Sequence, residues 1–247
     1  MSSNQSEKGV LIRHIGHKLA KTNLLPEKQQ KILNALDLIF TVIGIVFIVV
    51  IIRTFIMSPF QVYGISMCNT FNFMDGKCHE GFGDYLIINK SSYLQLGNWS
   101  AGKPQRGDVI VFRPPQHSNE FYIKRVIGLP GEKVKLVDGE VYVYSQKHPE
   151  GVKLNETYLN SDNKGNTFAS GGIDEFNVPE GQYLVFGDNR KRSSDSRLCF
   201  KETLASPDCG EDGVTPYLKL EQIEGKASLA LWPSPRVVET AKYPELE

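Results

Sequence analysis

Between Leu38 and Ile52 the chain runs for fifteen residues, LIFTVIGIVFIVVII, without a charged side chain. A helix of that length covers about 23 Å of a hydrocarbon core about 30 Å thick. Extended from Leu36 to Met57 it reaches about 33 Å, and Asp37 and Arg53 then fall near the ends, where a long side chain can reach the interface. The β-branched content is no obstacle in lipid, because an apolar solvent forces the backbone to satisfy its own polar groups. A buried core helix is the alternative. A cleaved export signal fits poorly, since its leader would exceed thirty residues and RTFIMSPFQV offers no small-x-small site.

The segment also divides the charge. The whole chain of 247 residues holds 28 basic and 28 acidic side chains. Residues 1–36 hold six basic groups and two acidic ones, a balance of +4, leaving 22 and 26 for the rest, a balance of −4. A total of zero gives no basic domain for nucleic acid, and no such partner is expected. The basic excess ahead of the span predicts a cytoplasmic leader (1–35), an anchor (36–57) and a domain on the far side of the membrane (58–247). Within the leader, Leu11, Ile15 and Leu19 recur at helical spacing, which suits a short surface helix; a mobile tail is the bland alternative.

Cys68, Cys78, Cys199 and Cys209 all lie beyond the span, where disulfides persist. Four thiols allow three pairings, and the equal spacing within each pair favours two local loops. Metal ligation has little support: His79 adjoins Cys78, but no CxxC or HxxxH spacing accompanies it. Past residue 82 the apolar residues come in short runs parted by Gly, Pro and Asp, among them DYLIINK, GDVIVFRPP, FYIKRVIGLPG and GQYLVFGDN. None keeps a helical period. In EKVKLVDGEVYVYSQ, Asp138-Gly139 sits between alternating segments and predicts a tight hairpin with both turn residues at positive φ. Residues 145–174 and 198–224 read as long inserted loops. The fold class is mainly β: a single N-terminal transmembrane helix followed by an all-β, barrel-like or two-sheet domain.

Three segments carry candidate chemistry. Gly64-Ile65-Ser66-Met67 sets a hydroxyl soon after the anchor, beside a glycine that lets another backbone approach. In Tyr122-Ile123-Lys124-Arg125-Val126-Ile127, alternation puts Lys124 on one face with Tyr122 and Val126, and Arg125 on the other. One of the two charges is expected against packed apolar surface. If it is Lys124, desolvation brings it from about 10.4 towards 8 and makes it a competent base, which an arginine cannot become. Gly187-Asp188-Asn189-Arg190 and Ser193-Ser194-Asp195-Ser196-Arg197 gather hydroxyls, carboxylates and guanidinium groups at a strand end, suiting a hydrogen-bonded support for reacting groups, or a solvated loop.

Taken together, PFQVYGISM (59–67), RGDVIVF (106–112), YIKRVIGLPGE (122–132), GDNRKRSSDSR (187–197) and GKASLALW (225–232) resemble the boxes of type I signal peptidases, membrane-bound Ser/Lys proteases that remove signal peptides from exported proteins. The resemblance implies that Ser66 attacks the scissile carbonyl after neutral Lys124 takes its proton, with no histidine needed. It implies that Ser193 hydrogen-bonds the Lys124 nitrogen, that Asp195, Arg197 and Arg125 hold the surroundings, and that the Ser66 N–H supplies an oxyanion donor. Some members add a serine hydroxyl two positions before the nucleophile, where this chain has Gly64. Val62, Tyr63, Gly64, Met67 and Tyr122 would line shallow pockets for Ala-x-Ala sites. No cofactor or metal is implied; the partners would be preprotein signal peptides, the lipid bilayer and the export machinery, at a bacterial cytoplasmic membrane.

The chain departs from the family where the serine-methionine box usually continues x-Pro-Thr-Leu: here it reads Cys68-Asn69-Thr70-Phe71. Two local disulfides are expected to tether the inserted loops, the first replacing the stiffening of the missing proline. The rival readings are a catalytically silent signal-peptidase-like binding protein, a dedicated peptidase with few substrates, and a Ser-His-Asp protease using His79, His117 or His148.

Overall fold

The computed structural model describes residues 26–97, 99–116, 118–169, 173–201, 209–210 and 214–247. The leader helix expected around Leu11, Ile15 and Leu19, together with His117 and parts of both inserted loops, lies outside them. The chain divides into two compact units after Ile51.

The first is a helix, α1 (Glu27–Ile51), which continues as a π-helical turn over Ile52–Ile56 to a length of 30 residues, long and apolar enough to cross a membrane. It begins earlier than the apolar pattern alone indicates. Glu27 favours the first turn electrostatically and pairs with Lys31 one turn on, at 2.7 Å, on the exposed surface. Leu38, Phe40 and Phe47 are all more than 60% exposed.

Among its described residues the second unit has sixteen strands: β1 (Met57–Tyr63), β2 (Phe73–Met74), β3 (Lys77–Cys78), β4 (Phe82–Asn89), β5 (Gln95–Leu96), β6 (Trp99–Ser100), β7 (Val109–Phe112), β8 (Tyr122–Gly128), β9 (Lys133–Val137), β10 (Glu140–Tyr144), β11 (Val152–Lys153), β12 (Glu175–Asn177), β13 (Gln182–Phe186), β14 (Tyr217–Lys219), β15 (Ile223–Trp232) and β16 (Arg236–Val237). The larger sheet has the order β1-β4-β15-β7-β8-β13-β14, with β16 on β15; the smaller runs β11-β10-β9-β12. All of these pairings are antiparallel. β15 comes late in the chain yet lies between β4 and β7.

Continuous apolar runs such as VIVF and YLVF arise because their strands are covered on both faces. In β7, Val109 packs with Val62, Met67, Phe71 and Leu86, whereas Ile110 and Phe112 pack with Tyr183, Val185 and Phe200. In β13, Leu184 and Phe186 turn the other way, into a third cluster with Ile127, Val134 and Val141. The Asp138-Gly139 turn has the expected geometry, φ being +50° and +77°, and joins β9 to β10.

Residues 145–174 are more than a surface excursion. Leu154, Leu159 and Thr167 are buried, and Leu154 N–H and Thr167 N–H donate to the β10 and hairpin carbonyls of Val141 and Gly139. The second inserted stretch likewise contributes buried Phe200 and Leu218. Polar composition concealed both, because a few apolar anchors suffice to fix a segment whose backbone bonds are met by neighbouring strands.

Candidate active site

Ser66 stands in a tight helical turn just past β1, where Cys68 N–H donates to Ile65 O and Phe71 N–H to Met67 O. Gly64 enters this turn at φ +81°, a conformation costly for side chains with a Cβ. The Ser66 carbonyl accepts from the Asn189 N–H at 3.0 Å, and the Asn189 amide donates to Ile65 O at 3.1 Å. The strand-end loop 187–197 therefore grips the serine by its backbone. Gly187 lies at the closest approach: a Cβ there would fall 2.5 Å from Ser66 O and 2.2 Å from Ser193 Oγ.

Lys124 lies opposite Ile110 in the β7–β8 register, and its Nζ is 2.8 Å from Ser66 Oγ and 2.9 Å from Ile123 O. Burial drives this lysine down to about 8, against the upward pull of the Asp195 and Asp188 carboxylates; the Arg197 charge pushes further down. The sequence pattern led us to expect one buried charge on β8. Both are buried: Lys124 gives up basicity, whereas Arg125 keeps its charge against a carboxylate. Arg125, on the other face, makes a two-pronged ion pair with Asp188 at 2.9 and 2.7 Å and also donates to Gly107 O at 2.8 Å. Thr70, four residues beyond Ser66, donates to the same Asp188 carboxylate.

Asp195 accepts from Arg197 at 2.9 and 2.7 Å and from the Gly187 N–H at 2.8 Å. Burial alone would raise its carboxyl; the charge and hydrogen bonds of Arg197 and the Gly187 N–H outweigh this and hold it below the usual value. Arg190, unassigned by sequence reasoning, donates from Nε to Gly187 O at 3.0 Å and forks onto Glu156. Glu156 comes from the stretch taken for a loop. The readable signal for Asp188 and Glu156 was the demand of a buried arginine for a carboxylate.

Ser66 and Lys124 open into a cleft of about 400 Å³, lined also by Val62, Tyr63, Gly64 and Tyr122. Met67 is not on its wall. Its side chain is turned into the core, where the sulfur accepts a 3.4 Å contact from the Asp188 N–H. Among the described residues Ser193 Oγ, though buried, does not bond Lys124 as expected, and it turns instead to the Asp195 carboxylate, which it helps to lower; the Lys124 nitrogen is held by Ser66 and Ile123. Neither His79 nor His148 lines the cleft, and the His148 ring contacts Leu246 O at 3.3 Å.

The cysteines pair locally, Cys68 with Cys78 and Cys199 with Cys209. Asn69, which stands where the resembled family has proline, has φ +86°. Proline is locked near −65° and cannot follow this path. The first disulfide starts one residue before that point, and Asn72, fully buried at its far side, donates from its amide to Gly64 O at 2.8 Å and accepts from Asp84 N–H at 2.9 Å. Cross-links of covalent and hydrogen-bonded kind thus fix the turn that carries Ser66.

A hydroxyl bonded to a buried lysine of lowered basicity, supported by paired charges on an antiparallel sheet, is the arrangement of a Ser/Lys hydrolase. Residues 35–232 match the family model of signal peptidases, peptidase S26, and the chain belongs to that family of serine endopeptidases, which remove signal peptides from preproteins. It is similar to signal peptidase I of Rickettsia felis, 36% identical over 62% of this chain and 69% of the relative, and to signal peptidase I of Rickettsia prowazekii, with the same identity and coverage. Among solved structures, a signal peptidase I from Enterococcus faecalis is 32% identical and aligns with 51% of this chain and 97% of its own at a TM-score of 0.36.

Proposed function

We propose that the chain is an active membrane-anchored signal peptidase in which Ser66 is the nucleophile and Lys124 the general base. The observation that carries this is the 2.8 Å contact between Lys124 Nζ and Ser66 Oγ, with the lysine held at about 8. Neutral Lys124 takes the Ser66 proton as Oγ bonds to the scissile carbonyl carbon, and the Ser66 N–H steadies the oxyanion that forms. The lysine then passes its proton to the leaving amine of the mature chain. Water, deprotonated in turn by Lys124, releases the signal peptide from the ester and restores the hydroxyl.

Arg125–Asp188 and Arg197–Asp195 act as neutral pairs. They fix the loop without setting a lone charge beside the lysine, which must be free to lose its proton. The cleft near Ser66 is walled by Val62, Ile65 and Ile123, a lining suited to small apolar side chains and hence to cleavage after Ala-x-Ala. Exposed Leu38, Phe40 and Phe47 on α1 call for a lipid solvent. With the basic excess ahead of the helix, they support an anchor over 36–57, a cytoplasmic N-terminus and a β-rich domain outside a bacterial cytoplasmic membrane.

Purified full chain in detergent should cleave an Ala-x-Ala preprotein, and Ser66→Ala or Lys124→Met should each lose on the order of 10³-fold or more in kcat/KM. Either variant cleaving as fast as the parent refutes the dyad, and an inactive parent favours the silent binding protein.

A further inference from the structure

Arg192 is a cleft residue that the dyad does not use. It follows the Asn189 grip on Ser66 by one turn, its own N–H donating to Asn189 O, and its guanidinium reaches Glu80 at 2.8 Å. Among the described residues Glu80 is the single partner of that guanidinium. Both side chains are more than 60% exposed, so the pair is weak and exchanges readily for another carboxylate.

The cleft has a direction. At its far end the rings of Phe60 and Phe121 meet edge-on at 5.0 Å, beside Glu120, about 13 Å from Lys124 along the strand path. Apart from Gln61, the lining that β1 and β8 give between that end and the dyad is mostly apolar, and it suits the residues before the cut. Arg192 and Ser194 line the same cleft from the loop whose Asn189 holds the Ser66 and Ile65 carbonyls, and this loop side is taken as the path of the chain after the cut.

Resting on the proteolytic reading above, we propose that Arg192 is a specificity residue that favours an acidic side chain among the first three residues of the mature chain, with Glu80 as the resident carboxylate that such a substrate displaces. Neither bond cleavage nor the dyad depends on it; the guanidinium adds attraction for substrates that can present a carboxylate there.

The test is a set of matched Ala-x-Ala preproteins carrying Gln, Glu or Lys at positions +1, +2 or +3, cleaved by the full chain in detergent. Cleavage of the Gln substrates by the parent tests the proteolytic reading, and its absence overturns both ideas. Given that cleavage, the parent should prefer Glu to Lys about fivefold in kcat/KM at one of the three positions, and 0.5 M NaCl should erase most of the preference. Arg192→Gln should bring the Glu/Lys ratio to about one and Arg192→Glu should invert it, whereas Glu80→Gln, which removes the competitor, should raise it. A ratio that is the same in the parent and in Arg192→Glu, or that falls in Glu80→Gln, overturns the proposal.

Discussion

Lys124, the proposed general base, should also make the protein less stable, and the size of that effect can be worked out. Lys124 is lowered from 10.5 to about 8 in the folded state, first of all by burial. Between those two values the unfolded chain binds more protons at this position than the folded one, so stability rises with pH through the window and is lowest below about 8. The full difference is about 3 kcal/mol, most of which falls between pH 7 and pH 10. Lys124→Met removes the titration. Its unfolding free energy minus that of the parent should therefore be about 2–3 kcal/mol greater at pH 7 than at pH 10, whatever its value at either pH, because groups common to both proteins cancel. Urea titration of the full chain in detergent, followed by tryptophan fluorescence, measures this on the β-rich unit alone, since Trp99 and Trp232 both belong to it. In the parent, kcat/KM should rise with pH about a midpoint near 8, where about one lysine in ten is already neutral at pH 7. A stability difference that stays constant from pH 7 to 10, or a rate profile that first rises near 10, would refute the reasoning.

Glu156→Gln leaves the fully buried Arg190 charge without its carboxylate and should cost about 3–5 kcal/mol in urea unfolding. The same change should lower kcat, because Arg190 also holds the Gly187 carbonyl. Gly187→Ala places a methyl group within 2.5 Å of both Ser66 O and Ser193 Oγ, and should reduce kcat/KM by at least tenfold while circular dichroism shows the strands retained. Replacing Cys68 and Cys78 together by Ser opens an eleven-residue loop, with an expected loss of about 2.5–3 kcal/mol and a lower kcat from the loosened Ser66 turn; unchanged activity at unchanged stability would show that the turn needs no covalent support.

What could be read from the sequence was whatever depends on local pattern. Alternation over 133–144 with Asp138-Gly139 at its centre specified the β9–β10 hairpin, and the equal cysteine spacing agreed with the pairing found. The strand parity of β8 separated Lys124 from Arg125, but could not show that both faces are covered, because burial of the second face comes from distant chain. For the same reason Glu156 went unseen: its position in a polar stretch carries no periodicity, and its partner lies 34 residues on. Met67 was misplaced because the turn after β1 rotates its side chain away from the direction a continued strand would give it. The path of the backbone at Asn69, where a non-glycine residue takes positive φ, is likewise invisible to residue type alone.

The position of β15 has a temporal consequence. Ser66 follows β1, which is paired with β4, whereas Lys124 belongs to β8, which is paired with β7; among the described residues it is β15, starting at Ile223, that bridges the two pairs through the sheet. A chain stopped short of that residue would carry both groups on two pieces of sheet with no strand between them, joined only by core packing and by bonds such as those of Asn189 and Asp188 to the Ser66 turn. The strand that closes the larger sheet is thus made after every strand it joins, with only the short β16 to follow, so the two halves of the proposed dyad meet in one continuous sheet only near the end of synthesis.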